Sequence, residues 1–105
     1  SALEKRDFTN ARFTYYDITV GQVACEGYYK ASDFVVALNS QQYGTYWKSQ
    51  YCFNTITISY GGKTTTAQIV DECPGCPHGG LDLTQGLFQY FADTSQGVLY
   101  GTWSF

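Results

Sequence analysis

The stretch Thr55-Ile56-Thr57-Ile58-Ser59-Tyr60-Gly61-Gly62-Lys63-Thr64-Thr65-Thr66-Ala67-Gln68-Ile69-Val70-Asp71-Glu72-Cys73-Pro74-Gly75-Cys76 carries the reading of the fold. Thr55 to Tyr60 alternate strictly, with Ile56, Ile58 and Tyr60 on one face, the period of a half-buried strand. Gly61-Gly62 marks a tight hairpin turn, and Thr64 to Val70 returns as the partner strand. Working outward, Phe13-Thr14-Tyr15-Tyr16 is β-branched and aromatic. Phe34 to Leu38 is a continuous apolar run of the kind buried on both faces. Val98 to Phe105 alternates again and groups Leu99, Trp103 and Phe105. One segment reads as helix: Thr84 caps it, Leu87, Phe88 and Phe91 form an apolar stripe, and Gly97 lies beyond its end. Gly86 weakens that helix. The pattern is a small, mainly β domain with one short helix, and closure into a barrel would remove its unpaired edges.

The 105 residues make one ordinary domain. Hydrophobic residues at 44% argue against disorder. A net charge of −3 argues against a partner that is nucleic acid or an anionic membrane, since both demand basic patches. No apolar run approaches the length of a transmembrane helix. Ten Tyr in a chain with only 14% charged residues suggest a polar, stackable surface of the kind carbohydrate sites and protein interfaces use. No repeat, linker or low-complexity segment is evident.

The four cysteines are Cys25, Cys52, Cys73 and Cys76. An even count in a short chain allows two disulfides or one metal site. Zinc sites use paired motifs, and here a single Cys73-Pro74-Gly75-Cys76 stands with His78 two residues on, so disulfides are expected and no metal. A redox pair would need a βαβ setting, which is missing. Disulfides imply a secreted, extracellular protein. Leu3-Glu4-Lys5-Arg6 contains a dibasic pair of the kind processing proteases cut, so residues 1–6 read as a leader remnant, expected to be disordered, and 7–105 as the folded domain. The alternative for 1–6 is an ordinary charged tail.

Several stretches fall in a familiar order: Ala24-Cys25-Glu26-Gly27, Asp33-Phe34-Val35-Val36-Ala37-Leu38, Val70-Asp71-Glu72-Cys73-Pro74-Gly75-Cys76, Leu81-Asp82-Leu83-Thr84 and Gly101-Thr102-Trp103-Ser104-Phe105. Together they resemble the double-psi β-barrel of expansins, barwin and rare-lipoprotein-A-like proteins, with the closest likeness to the single-domain fungal loosenins. The resemblance covers about residues 11–105. It implies a six-stranded double-psi β-barrel with one or two short helices and two disulfides. With it, the expected pairing is Cys25–Cys52 and Cys73–Cys76, one of three connectivities. Two departures stand out. Full expansins carry a second, carbohydrate-binding domain, absent from this sequence. The family often has Cys-Gly where this chain has Cys25-Glu26.

The resemblance also names a site. Asp82 is similar to the catalytic acid of expansins and related endoglucanases. A carboxyl group in an aromatic-lined groove can hold its proton and donate it. The competing reading is an Asp at a helix N-terminus. Asp71 looks like a second groove Asp, against a loop Asp in an Asx turn. Thr14 and Tyr16 share one strand face and resemble the family's Thr-x-Tyr pair at the groove's border, against ordinary hairpin packing. Tyr28, Tyr29, Tyr46 and Trp47, in loop-like segments, are candidate stacking residues, with core packing or simple exposure as the alternatives. Trp103 reads as core, and His78 as solvated.

An inverting glycosidase places its base roughly 6.5–9.5 Å from the acid. Related endoglucanases carry it two residues after the groove Tyr, where this chain has Ile18. Asp17 comes one residue after Tyr16 and would face away unless a bulge re-aims it. The expected function is therefore a secreted, monomeric, expansin-like protein that binds cell-wall polysaccharide (cellulose, chitin or hemicellulose) in an open groove and loosens it without ordinary hydrolysis or any cofactor. Two alternatives remain. One is a protein-binding barrel such as a cysteine-protease inhibitor, with Gln41-Gln42-Tyr43-Gly44-Thr45 as its loop. The other is an endoglucanase or lytic transglycosylase.

Overall fold

Alternating apolar residues build six strands among the described residues: β1 (Asp7–Tyr16), β2 (Val35–Asn39), β3 (Thr55–Tyr60), β4 (Lys63–Cys73), β5 (Leu81–Thr84) and β6 (Leu99–Ser104). The computed structural model describes residues 7–45 and 49–105. The expected leader remnant 1–6 and the candidates Tyr46 and Trp47 lie outside them. The strands close into a barrel in the order β1-β5-β2-β4-β3-β6. Two pairs, β1/β5 and β2/β4, run parallel, and the others are antiparallel. This is the double-psi barrel that the motif order implies.

The core follows the strand periods. Phe13, Leu38, Ile56, Ile58, Leu81 and Trp103 are sealed inside. Every residue of β2 is buried, as a continuous apolar run requires. Gly61 and Gly62, at φ 57° and 84°, make the β3–β4 turn, a conformation that costs glycine little. The Trp103 indole N–H donates to the Gly79 carbonyl at 2.8 Å, so its polar atom is satisfied in the core.

The helical segment differs from expectation at both ends. The α2 helix (Gln85–Phe91) buries Leu87, Phe88 and Phe91 as its stripe predicts. Thr84 holds the cap position, but its hydroxyl donates to the Asp33 carbonyl at 2.5 Å and leaves the helix uncapped by a side chain. The helix stops at Ala92, and Gly97 closes a separate 3-10 turn, Thr94–Gln96. A one-turn helix, α1 (Ser40–Tyr43), follows β2. Asn39 caps it through its side chain. Both disulfides form as expected, Cys25–Cys52 and Cys73–Cys76.

Candidate functional site

The parallel and antiparallel registers bring the site together. Thr14 on β1 is the Cα partner of Asp82 on β5, Asp82 of Ala37 on β2, and Ala37 of Asp71 on β4. One row across four strands therefore holds Thr14, Asp82, Ala37 and Asp71. Two strand spacings put the Asp71 and Asp82 backbones roughly 10 Å apart. The β2/β4 register shifts between Val36 and Ala37, which brings Asp71 into that row. Ala37, small and buried, lies between the two carboxylates.

The side chains complete the row. The Thr14 hydroxyl donates to Asp82 Oδ1 at 2.8 Å. The Tyr16 hydroxyl donates to Asp71 Oδ2 at 2.9 Å. Asp71 Oδ1 also accepts the backbone N–H of Ala24 at 2.8 Å and of Glu72 at 2.9 Å. All four sequence-predicted residues are half-buried and joined in pairs. Neither competing reading of the carboxylates describes them fully. Asp82 lies within β5 and accepts a hydroxyl, with no helix N–H among its hydrogen bonds. Asp71 accepts the N–H of the next residue, Glu72, where an Asx turn would engage the residue two on, and it does so inside β4 with two long-range partners.

The electrostatics differ between the groups. Burial raises the Asp82 pKa above the ordinary carboxyl value; the Thr14 hydrogen bond and the Arg12 guanidinium oppose that rise, and the Asp71 charge adds to it. Burial, followed by the Asp71 charge and hydrogen bond, raises the Tyr16 phenol far above its usual range. Tyr16 therefore stays a protonated donor, and Asp82 holds its proton more tightly than a solvated carboxyl does. The Asp82 carboxyl, the Thr14 hydroxyl and the Tyr16 phenol together offer hydrogen-bonding groups that suit a sugar hydroxyl or glycosidic oxygen.

Asp17 is not part of this group. It is exposed, and its Oδ1 accepts the backbone N–H of Thr19 at 3.0 Å and its hydroxyl at 2.5 Å, capping the 3-10 turn Ile18–Val20. Those bonds hold its carboxyl below the usual value. Ile18 is buried. β1 ends at Tyr16, so Asp17 stands outside the strand as the cap of the following turn, and strand parity does not govern where it points. Tyr29 packs with Tyr16 against the cluster of Ile18, Val23, Val35 and Val70. Tyr28 is 76% exposed. His78 is exposed, its ring edge-on to Phe8. Sequence reasoning missed Arg12, whose charge acts on Asp82, although its i, i+2 spacing with Thr14 and Tyr16 marks the shared face. It also missed Ala37, whose place between the carboxylates depends on a register no local pattern shows.

No protein-family model matches this chain. The Aspergillus fumigatus "Allergen Asp f 7" is 46% identical over 55 residues, covering 51% of this chain and 20% of that protein. The chain thus spans only about a fifth of that relative. Among solved structures, the Streptomyces papain inhibitor superposes with a TM-score of 0.84 at 30% identity, covering 94% of this chain and 93% of its own. A Clavibacter michiganensis expansin in complex with cellohexaose superposes with a TM-score of 0.81 over 95% of this chain and 50% of that one, at 23% identity, a likeness of fold alone. The barrel topology and the near-full-length match to the papain inhibitor lead to one assignment: the chain belongs to the double-psi β-barrel family of that inhibitor, and shares its fold with expansin.

Proposed function

We propose that this is a secreted, loosenin-like protein that binds cell-wall polysaccharide along the Tyr16–Thr14–Asp82–Asp71 groove and loosens it by breaking non-covalent contacts. The observation that carries the reading is the four-strand row in which Thr14 and Tyr16 each hold one carboxylate. The related expansin fold in complex with cellohexaose supports a glycan as the ligand class. The two disulfides fit an oxidising, extracellular compartment. Asp71, with three donors on it, acts as a fixed acceptor, and Asp82 as the group that gives or shares a proton. Asp17 is tied to its own turn and does not serve as the base of inverting hydrolysis, and Asp71, the other carboxylate of the row, is already engaged by three donors.

Asp82→Asn keeps the shape and a hydrogen-bonding head but carries no acidic proton. It should abolish the swelling or weakening of cellulose and chitin fibres at unchanged fold, while the wild type releases no soluble reducing ends. Full loosening by Asp82→Asn sinks the role of Asp82. Steady sugar release by the wild type, lost in Asp17→Asn, makes the protein a hydrolase instead.

A second reading, protease inhibition, draws on the 30% identity to the papain inhibitor over nearly its whole chain. Of the expected loop, Gln41, Gln42 and the buried Tyr43 belong instead to α1, and only Gly44 and Thr45 are exposed beyond it. Titration of papain beside the fibre assay separates the two. Stoichiometric inhibition without glycan binding replaces the first reading.

A further inference from the structure

The outer face of β1 does not end at Thr14. Arg12, Thr14 and Tyr16 alternate with the core residues Ala11 and Phe13, so all three face outward. Arg12 is the Cα partner of Tyr100 on β6. On β6, Leu99 and Trp103 are buried and Gly101 lies against the core: a Cβ there would meet the Ser59 carbonyl at 2.5 Å and the Phe13 ring at 2.6 Å. Tyr100 must therefore point out. It is 57% exposed, and its ring has no hydrogen-bond or aromatic partner among the described residues. Val98, just before β6, is also exposed. A large ring left bare on a strand that flanks the polar row is an unused stacking face.

We propose that Tyr100 is a sugar-stacking platform at the Arg12 end of the groove, so that the site takes an extended, uncharged glycan segment rather than one sugar unit. This rests on the groove reading above and adds its length and direction. From Tyr16 to Arg12 the strand runs about 13 Å, the reach of a short oligosaccharide, and Tyr100 lies beside the far end. The ligand is uncharged because the two acidic residues Asp82 and Asp71 outnumber the one cation, Arg12, along this row and would disfavour an acidic sugar.

The test is calorimetric titration with trimers and hexamers of cello-, chito- and xylo-oligosaccharides and of galacturonate. Tyr100→Thr, which suits a strand, should weaken hexamer binding about tenfold, the scale of one lost ring contact, and leave trimer binding unchanged. Tyr100→Phe should restore the hexamer affinity. Tyr16→Ala should weaken both lengths. Wild-type binding with equal hexamer affinity in Tyr100→Thr overturns the platform and leaves the groove standing. Failure of the wild type to bind any of the oligomers overturns both, and tightest binding of the galacturonate hexamer overturns the uncharged ligand.

Discussion

Asp71 and Asp82 show how neighbouring carboxyl groups are given different roles by their partners. Asp71 receives two backbone N–H groups and a phenol, whereas Asp82 receives one hydroxyl while losing water. The folded chain therefore holds the Asp82 proton more tightly than the unfolded chain, whose ordinary value is 3.8. The ionised carboxyl costs stability, and that cost is absent in acid below the unfolded value and grows as pH rises through the folded one. Asp82→Asn should accordingly melt no higher than wild type in acid and higher than wild type at neutral pH. A gain independent of pH would point to packing, not charge. Glu26 offers a second single-residue test. Its φ of 75° lies in the left-handed region, where glycine is at ease and a side chain is not. The left-handed penalty is about 1–2 kcal/mol, and the added freedom of an unfolded glycine returns about 0.4–1 kcal/mol of that. Glu26→Gly should thus stabilise the fold by about 0–1.6 kcal/mol in urea melts, and a loss would mean that the Glu26 side chain has a role its exposure hides.

Packing between elements overrides helix propensity at Gly86. In isolation, alanine there would favour α2 by about 1 kcal/mol. In the fold, the Gly86 N–H donates to the Ala31 carbonyl at 2.8 Å, and a Cβ would sit 2.7 Å from that same oxygen. Gly86→Ala should therefore destabilise by about 1–3 kcal/mol, and a gain would show that the 31–32 segment gives way freely. The same residue explains part of what the sequence concealed: Gly86 looks like a weakness in the helix until the neighbouring chain is seen. The β3–β4 hairpin was legible because its signal is local, strict alternation around Gly61-Gly62. So was the buried β2, from its unbroken apolar run. The β5 strand was not, because four residues between a glycine pair and a helix show no period. The site was legible only through its motif order. Thr14 and Asp82 are 68 positions apart, and nothing short of the β1/β5 register pairs them. Thr84 misled in the opposite sense, since a hydroxyl in a cap position can serve a nearer carbonyl instead.

The whole molecule is a small closed barrel, and such a domain buries only roughly 60–70% of its unfolded surface. Its margin is of the order of 5–15 kcal/mol, so the two cross-links matter unequally. Cys25–Cys52 spans 27 positions and Cys73–Cys76 spans 3. Chain entropy assigns about 3.5 kcal/mol to the first and about 1.6 kcal/mol to the second. The long link also ties the segment before β2 to the chain entering β3, and the Cys25 N–H donates to the Val70 carbonyl beside Asp71. Its neighbour Ala24 supplies one of the two N–H groups that hold Asp71. Loss of this link should therefore act twice. The Cys25→Ala/Cys52→Ala double variant should lose about 3.5 kcal/mol or more in urea melts, and it should also bind glycan more weakly at temperatures where it is still folded. The Cys73→Ala/Cys76→Ala variant should lose less than half as much. Equal losses would show that the short bridge contributes native contacts beyond loop closure. Undiminished glycan binding in the folded Cys25→Ala/Cys52→Ala protein would show that Asp71 is held well enough by Tyr16 and Glu72, without help from the cross-linked segment.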